Sequence, residues 1–105
     1  MALRACVESP LVQGVDEIIA YTITTTNWVS SPTSPVVAVF DVTTTGIRTS
    51  VTSTVMPTNS PTVSGDVITL SVLKLLTAGN RYRVEVLFVV SGNTYETYFE
   101  VLAEN

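Results

Sequence analysis

The stretch Leu73-Lys74-Leu75-Leu76-Thr77-Ala78-Gly79-Asn80-Arg81-Tyr82-Arg83-Val84-Glu85-Val86 decides the fold. Leu76 starts a tight corner and Gly79 supplies the backbone freedom to turn it. Tyr82 is placed to bury its ring while its hydroxyl bonds back to the corner backbone, the device known as a tyrosine corner. Beyond it, Tyr82, Val84 and Val86 alternate with Arg83 and Glu85. That period of two predicts a strand with one apolar face.

Composition agrees. Of 105 residues, 46% are apolar and only 13% charged, against roughly 25% charged in ordinary globular chains. Val and Thr dominate, and their branched Cβ suits a pleated surface. The good surface-helix formers are scarce. The length suits a single domain covering residues 1–105, with enough chain to bury one core.

Working outward, the sequence predicts about seven strands separated by turn clusters. They cover 3–7, 17–26, 36–43, 47–55, 67–73, 82–90 and 94–102. Ile19, Tyr21 and Ile23 alternate with Ala20, Thr22 and Thr24, as in a half-buried strand. Two proline-rich loops, 30–35 and 57–65, interrupt pairing because proline lacks a donor.

The last hairpin yields a register. Taking Gly92-Asn93 as a two-residue turn pairs Val90 with Tyr95, Phe88 with Thr97, Val86 with Phe99 and Val84 with Val101. These residues, with Tyr82, face the core. The opposite face then sets Val89 against Glu96, Leu87 against Tyr98, Glu85 against Glu100, and Arg83 against Leu102. Leu87, Val89, Tyr98 and Leu102 form an apolar strip, the candidate interface for a partner or a second subunit. The alternative is that the loop 30–35 folds over it.

Several chemistries are excluded by residue type. The chain has no histidine, so His-based triads and Cys/His zinc sites are not available within it. Its five glycines are scattered one per turn and form no phosphate loop. Ser71-Val72-Leu73-Lys74 matches Ser-x-x-Lys, but that pattern needs a helix to bring both side chains to one face. Glu85 facing Glu100 would be two carboxylates on an open face, compensated by Arg81 and Arg83. Gly65-Asp66 reads as a turn. The expectation is no catalytic residue, no cofactor and no metal.

Net charge is −4, and the five basic residues form no run. Nucleic-acid binding, which needs a dense phosphate-neutralising face, is not expected. Cys6 is the single cysteine, so no intrachain disulfide forms and synthesis in the cytoplasm is permitted. Cys6 itself reads as a small buried apolar residue of the first strand. No signal peptide, membrane span or small-molecule substrate is expected. A short chain opening on Met1 is expected to be a whole gene product.

The spacing Leu76-x-x-Gly79-x-x-Tyr82-x-Val84 resembles the corresponding stretch of fibronectin type III domains, with Ala78 where proline is usual. The resemblance implies an all-β, single immunoglobulin-like (fibronectin type III-like) antiparallel β-sandwich. Leu76, Gly79, Tyr82, Val84 and Trp28 are then the fold-defining residues. Trp28 lies near the end of the second strand, whereas the family carries its tryptophan within it. The chain also resembles the small immunoglobulin-like structural proteins of tailed bacteriophages. The features are Tyr21-Thr22-Ile23-Thr24 followed by Trp28, then Gly65-Asp66-x-Ile68, the Leu76–Val84 corner and a closing glycine-turn hairpin. That resemblance implies a non-enzymatic virion structural protein, a capsid decoration (cement) or neck/tail accessory protein. It would act through protein-protein contacts with other virion subunits or with itself, and reside in the virion after synthesis in the host cytoplasm. The competing expectation is a carbohydrate- or cell-surface-binding module, with Trp28, Tyr95 and Tyr98 stacking on sugar rings.

Overall fold

The fold is organised around one long hairpin, β8 (Arg81–Val90) and β9 (Asn93–Glu104). The computed structural model describes residues 3–5, 11–25 and 30–105. Cys6 and Trp28 lie outside the described residues, and with them their expected roles. The remaining elements are β1 (Leu3–Ala5), β2 (Leu11–Gly14), β3 (Thr22–Thr24), β4 (Thr33–Asp41), β5 (Thr49–Ser50), the single helical turn α1 (Thr52–Val55), β6 (Thr62–Ser64) and β7 (Val67–Thr69).

These strands form two sheets, so the chain is all-β. One sheet runs β1-β9-β8-β4-β5, with β2 also on β9; the other runs β3-β7-β6. Val37, Val39, Val84, Val86, Phe88, Phe99 and Val101 of the larger sheet are buried in one core with Ile23 and Ile68 of the smaller. Each such side chain, fully buried, contributes roughly 1.5–3 kcal/mol. Leu73 and Leu76 from the corner, and Val55 and Met56 from α1, complete the core.

Three expectations need correction. First, the described residues hold nine strands, not about seven; the extra ones are two to four residues long. Second, the sandwich is not purely antiparallel, because β1 and β2 both pair parallel with β9. Third, the hairpin register is offset by two. Val90 pairs with Asn93, Phe88 with Tyr95, Val86 with Thr97, Val84 with Phe99 and Tyr82 with Val101. The turn residues are therefore Ser91 and Gly92, with φ of 50° and 81°. Positive φ at both central positions makes a type I′ turn, whose twist matches that of the strands. A two-residue offset leaves every side chain on its expected face, since faces repeat every second residue.

Other boundaries moved for local reasons. In place of a second strand over 17–26, β3 covers Thr22–Thr24, joined to an isolated Ile19–Leu73 bridge. β4 starts at Thr33, inside the proline loop, and its register shifts between Thr33 and Val36. Ser34 there has φ 52°, and Pro35 has no N–H to donate. The expected strand 47–55 divides into β5 and α1. Thr52 Oγ1 accepts from Val39 N–H at 2.9 Å and donates to Val39 C=O at 3.3 Å. One side chain thus does the work of a strand neighbour, and the backbone is free to coil. Nearby, Asn59 Nδ2 donates to Val37 C=O at 2.8 Å. Together these contacts close much of the β4 edge.

Strand β2 falls between the expected strands 3–7 and 17–26. Its Gln13 is fully buried, with Nε2 donating to Leu73 C=O at 2.8 Å and to Glu17 C=O at 3.0 Å. Tyr21 donates its hydroxyl to Gln13 Oε1 at 2.8 Å. Burial raises the Tyr21 hydroxyl pKa above its usual value, and the nearby Glu17 carboxylate adds to the shift. The amide is satisfied only because segments far apart in sequence converge on it.

Candidate interface on the outer face of the larger sheet

The outer face of β4, β8 and β9 is built by the period of two. Register sets Val36 beside Leu87 and Glu96, Ala38 beside Glu85 and Tyr98, and Phe40 beside Arg83 and Glu100. Arg81 sits beside Leu102, which neighbours Val12. Leu87, Val89, Tyr98 and Leu102 share this face, all half-buried. The more open apolar residues are Val36 and Val12, with 60% and 54% of their surface exposed.

The loop 30–35 does not fold over the strip. Thr33 continues β4 alongside Val89 and donates its hydroxyl to Val89 C=O at 3.0 Å. Asp66 Oδ1 accepts from Ser31 N–H at 2.9 Å, tying the loop to the turn before β7.

At the centre of the face lies a buried carboxylate. Glu85 does not face Glu100, as the offset register requires; Tyr98 is its neighbour. Nor is Glu85 exposed: only 4% of the residue is accessible. Arg48 Nη2 donates to its Oε1 at 2.6 Å. Arg83 Nε lies 2.9 Å from its Oε2. The second contact is within ion-pair distance, yet Arg83 Nε makes no hydrogen bond. Its N–H is misaligned, so the attraction is coulombic rather than directional.

Each arginine also rests on an aromatic ring. The Arg48 guanidinium sits 3.8 Å from the Phe40 ring centroid, and that of Arg83 sits 3.7 Å from the Tyr98 centroid. Cation–π contacts of this kind contribute about 0.5–2 kcal/mol, more when desolvated. The result is a chain Phe40–Arg48–Glu85–Arg83–Tyr98 laid across the sheet. Arg81 pairs with Glu100 at 3.8 Å.

The corner has its own geometry. Tyr82 is buried, and its hydroxyl accepts from Thr77 N–H at 2.9 Å. Gly79, at φ 85°, donates its N–H to Ala103 C=O at 2.9 Å, joining the corner to the end of β9. Val84 is fully enclosed and Leu76 nearly so.

Ser71, Tyr95 and Tyr98 each make contacts within the fold. Residues 71–74 are not helical, and Ser71 Oγ accepts from Ser60 N–H at 2.8 Å. The Tyr95 ring stacks on Phe88 at 6.0 Å, and Tyr98 is occupied by Arg83. Among the described residues no three His, Cys, Asp or Glu side chains converge as metal ligands.

The sequence placed Leu87, Val89, Tyr98 and Leu102 on one face but missed Val36, Phe40 and Arg48 as their neighbours. Residues 83 and 85 alternate visibly, which was the available signal for the Arg83–Glu85 contact. The Arg48 contact spans 37 positions and leaves no local trace. Comparison of the chain with protein-family models, with curated proteins and with solved structures found no match.

Proposed function

We propose that this chain is an immunoglobulin-like sandwich serving as a non-enzymatic structural protein of a tailed-phage virion, either a capsid decoration protein or a neck/tail accessory. It acts through protein-protein contacts made by the outer face of β4, β8 and β9. The strand order supports the immunoglobulin-like reading. β3-β7-β6 form one layer and β9-β8-β4-β5 the other, with the corner at the entry to β8. The observation that carries the functional reading is the outer face itself. Val36, Leu87 and Tyr98 form an apolar group beside the Glu85 network, with arginines held over it, a composition that favours protein contacts. No helix among the described residues is long and apolar enough to cross a membrane.

The test is proteomic. Particles purified from a lysate of the genome encoding this chain should hold it at fixed stoichiometry after high-salt washing. Replacing Val36 by Asp, at an exposed position with little fold cost, should remove it from particles while the free protein stays folded. Absence of the wild-type chain from washed particles refutes the assignment.

A further inference from the structure

We propose that the partner seated on this face is a second copy of the chain, docked face to face about a two-fold axis, with Arg48 of each copy paired to Glu96 of the other. This rests on the protein-contact reading above and names its partner.

The first observation is the layering of charge. In the ion pairs Arg48–Glu85, Arg83–Glu85 and Arg81–Glu100 the arginine is the more exposed member: 53% against 6%, 23% against 6%, and 53% against 27% respectively. The carboxylates are sunk and the guanidiniums ride above them. Arg48 stands out because it is half exposed and yet fixed from two sides, by Glu85 and by the Phe40 ring. These two contacts restrict its side chain in the monomer, so binding through its remaining N–H groups incurs less further ordering cost. A buried carboxylate at the centre of a sheet face is a poor way to gain stability. Holding Arg48 in place gives Glu85 a role.

The second observation is Glu96. It lies on the same face beside Leu87, half-buried, and pairs with no described cationic side chain. The chain carries net charge −4, so two copies repel at long range unless their charges are matched locally. This face offers the match. Arg48 reaches in from the β5 side, whereas Glu96 stands on β9 toward the other edge.

The third is geometric. Registers place Val36, Leu87 and Glu96 in one row and Ala38, Glu85 and Tyr98 in the next. Strands about 4.8 Å apart and same-face residues about 6.8 Å apart define the grid. An in-plane axis along the Val36–Tyr98 diagonal sets Arg48 of one copy over Glu96 of the other. The same operation sets Leu87 over Ala38 and brings Val36, and Tyr98 with the Arg83 guanidinium on its ring, against their own counterparts, each Arg83 keeping Glu85 as its counter-charge. An isologous contact requires this self-complementarity.

The test is molar mass by light scattering and sedimentation equilibrium on the full chain, from micromolar to millimolar. Wild type should approach a dimer. Glu96→Arg, which disturbs no described ion pair, should weaken dimerisation about tenfold or more, since the two-fold axis doubles each like-charge contact. Arg48→Glu should do the same, with circular dichroism checking that Glu85 tolerates the change. Mixing Arg48→Glu with Glu96→Arg should restore a heterodimer, because both cross-pairs are then opposite in charge. A monomer at millimolar concentration overturns the proposal, as does a dimer insensitive to Glu96→Arg. A mixture of folded variants that stays monomeric overturns it too. A monomer found at fixed stoichiometry in particles would overturn the self-partner and leave the virion reading standing.

Discussion

Removing the Glu85 carboxylate tests the outer-face network most directly. In Glu85→Ala, two guanidiniums lose their counter-charge, and their situations differ. Arg48 has 53% of its side chain exposed, so it returns to water, and its pairing is worth less than about 1 kcal/mol. Arg83 has 23% exposed, and its Nε is enclosed without a hydrogen bond. It cannot rehydrate without leaving the Tyr98 ring. Stranding a fully buried charge costs about 3–5 kcal/mol. Partial exposure and the retained ring contact reduce this to about 2 kcal/mol. For a domain of this size that lowers Tm by roughly 8–10 °C. The assay is urea unfolding followed by circular dichroism, as two double-mutant cycles. The Glu85–Arg83 coupling should reach about 1.5–2 kcal/mol, and the Glu85–Arg48 coupling should stay below about 1 kcal/mol. Replacing Glu85 by Leu and both arginines by Met should be neutral or stabilising, because desolvation is removed along with attraction. Equal couplings, or a Glu85→Ala cost below about 0.5 kcal/mol, would refute the view that Arg83 is the stranded charge.

Two further outcomes follow from named contacts. Ser91→Asn should stabilise by about 0.5 kcal/mol, because Asn tolerates the left-handed backbone of the first I′ position better than Ser; amide NMR should show Val90 opposite Asn93, and a Val90–Tyr95 pairing would sink the register argument. Tyr21, whose pKa is raised in the folded state from 10.0, contributes stability fully present below pH 10 and lost as pH climbs through the folded value; alkaline unfolding should therefore be shallower in Tyr21→Phe, and an unchanged profile would show that Tyr21 does not couple to folding.

The paired faces of β8 and β9 were legible because alternation of Val and Phe with Arg and Glu is a local signal. The register was not, because slips by two preserve every face and the apolar pattern is blind to them. Only the backbone at Ser91 and Gly92 distinguishes the two turns. The corner at Leu76, Gly79 and Tyr82 was legible because its contacts close within a few residues; Tyr82 reaches back only to Thr77.

By contrast, β2 escaped notice because Gln13 is polar, and polar residues are ordinarily read as exposed. Its burial depends on Leu73, 60 positions away. The break of the expected 47–55 strand depended on Thr52 meeting Val39, 13 positions back across the sheet edge.

From its residues alone, this chain is committed to strands and to an apolar face along its last hairpin, without histidine-based chemistry. Strand propensity, period and residue inventory are properties of neighbours in sequence. The tertiary structure decided which charges lie on the outer face and which of them are buried. It sank Glu85 beneath Arg48 and Arg83 and set Val36 beside Leu87. Those placements follow from sheet order and register, which arise only when distant strands pair.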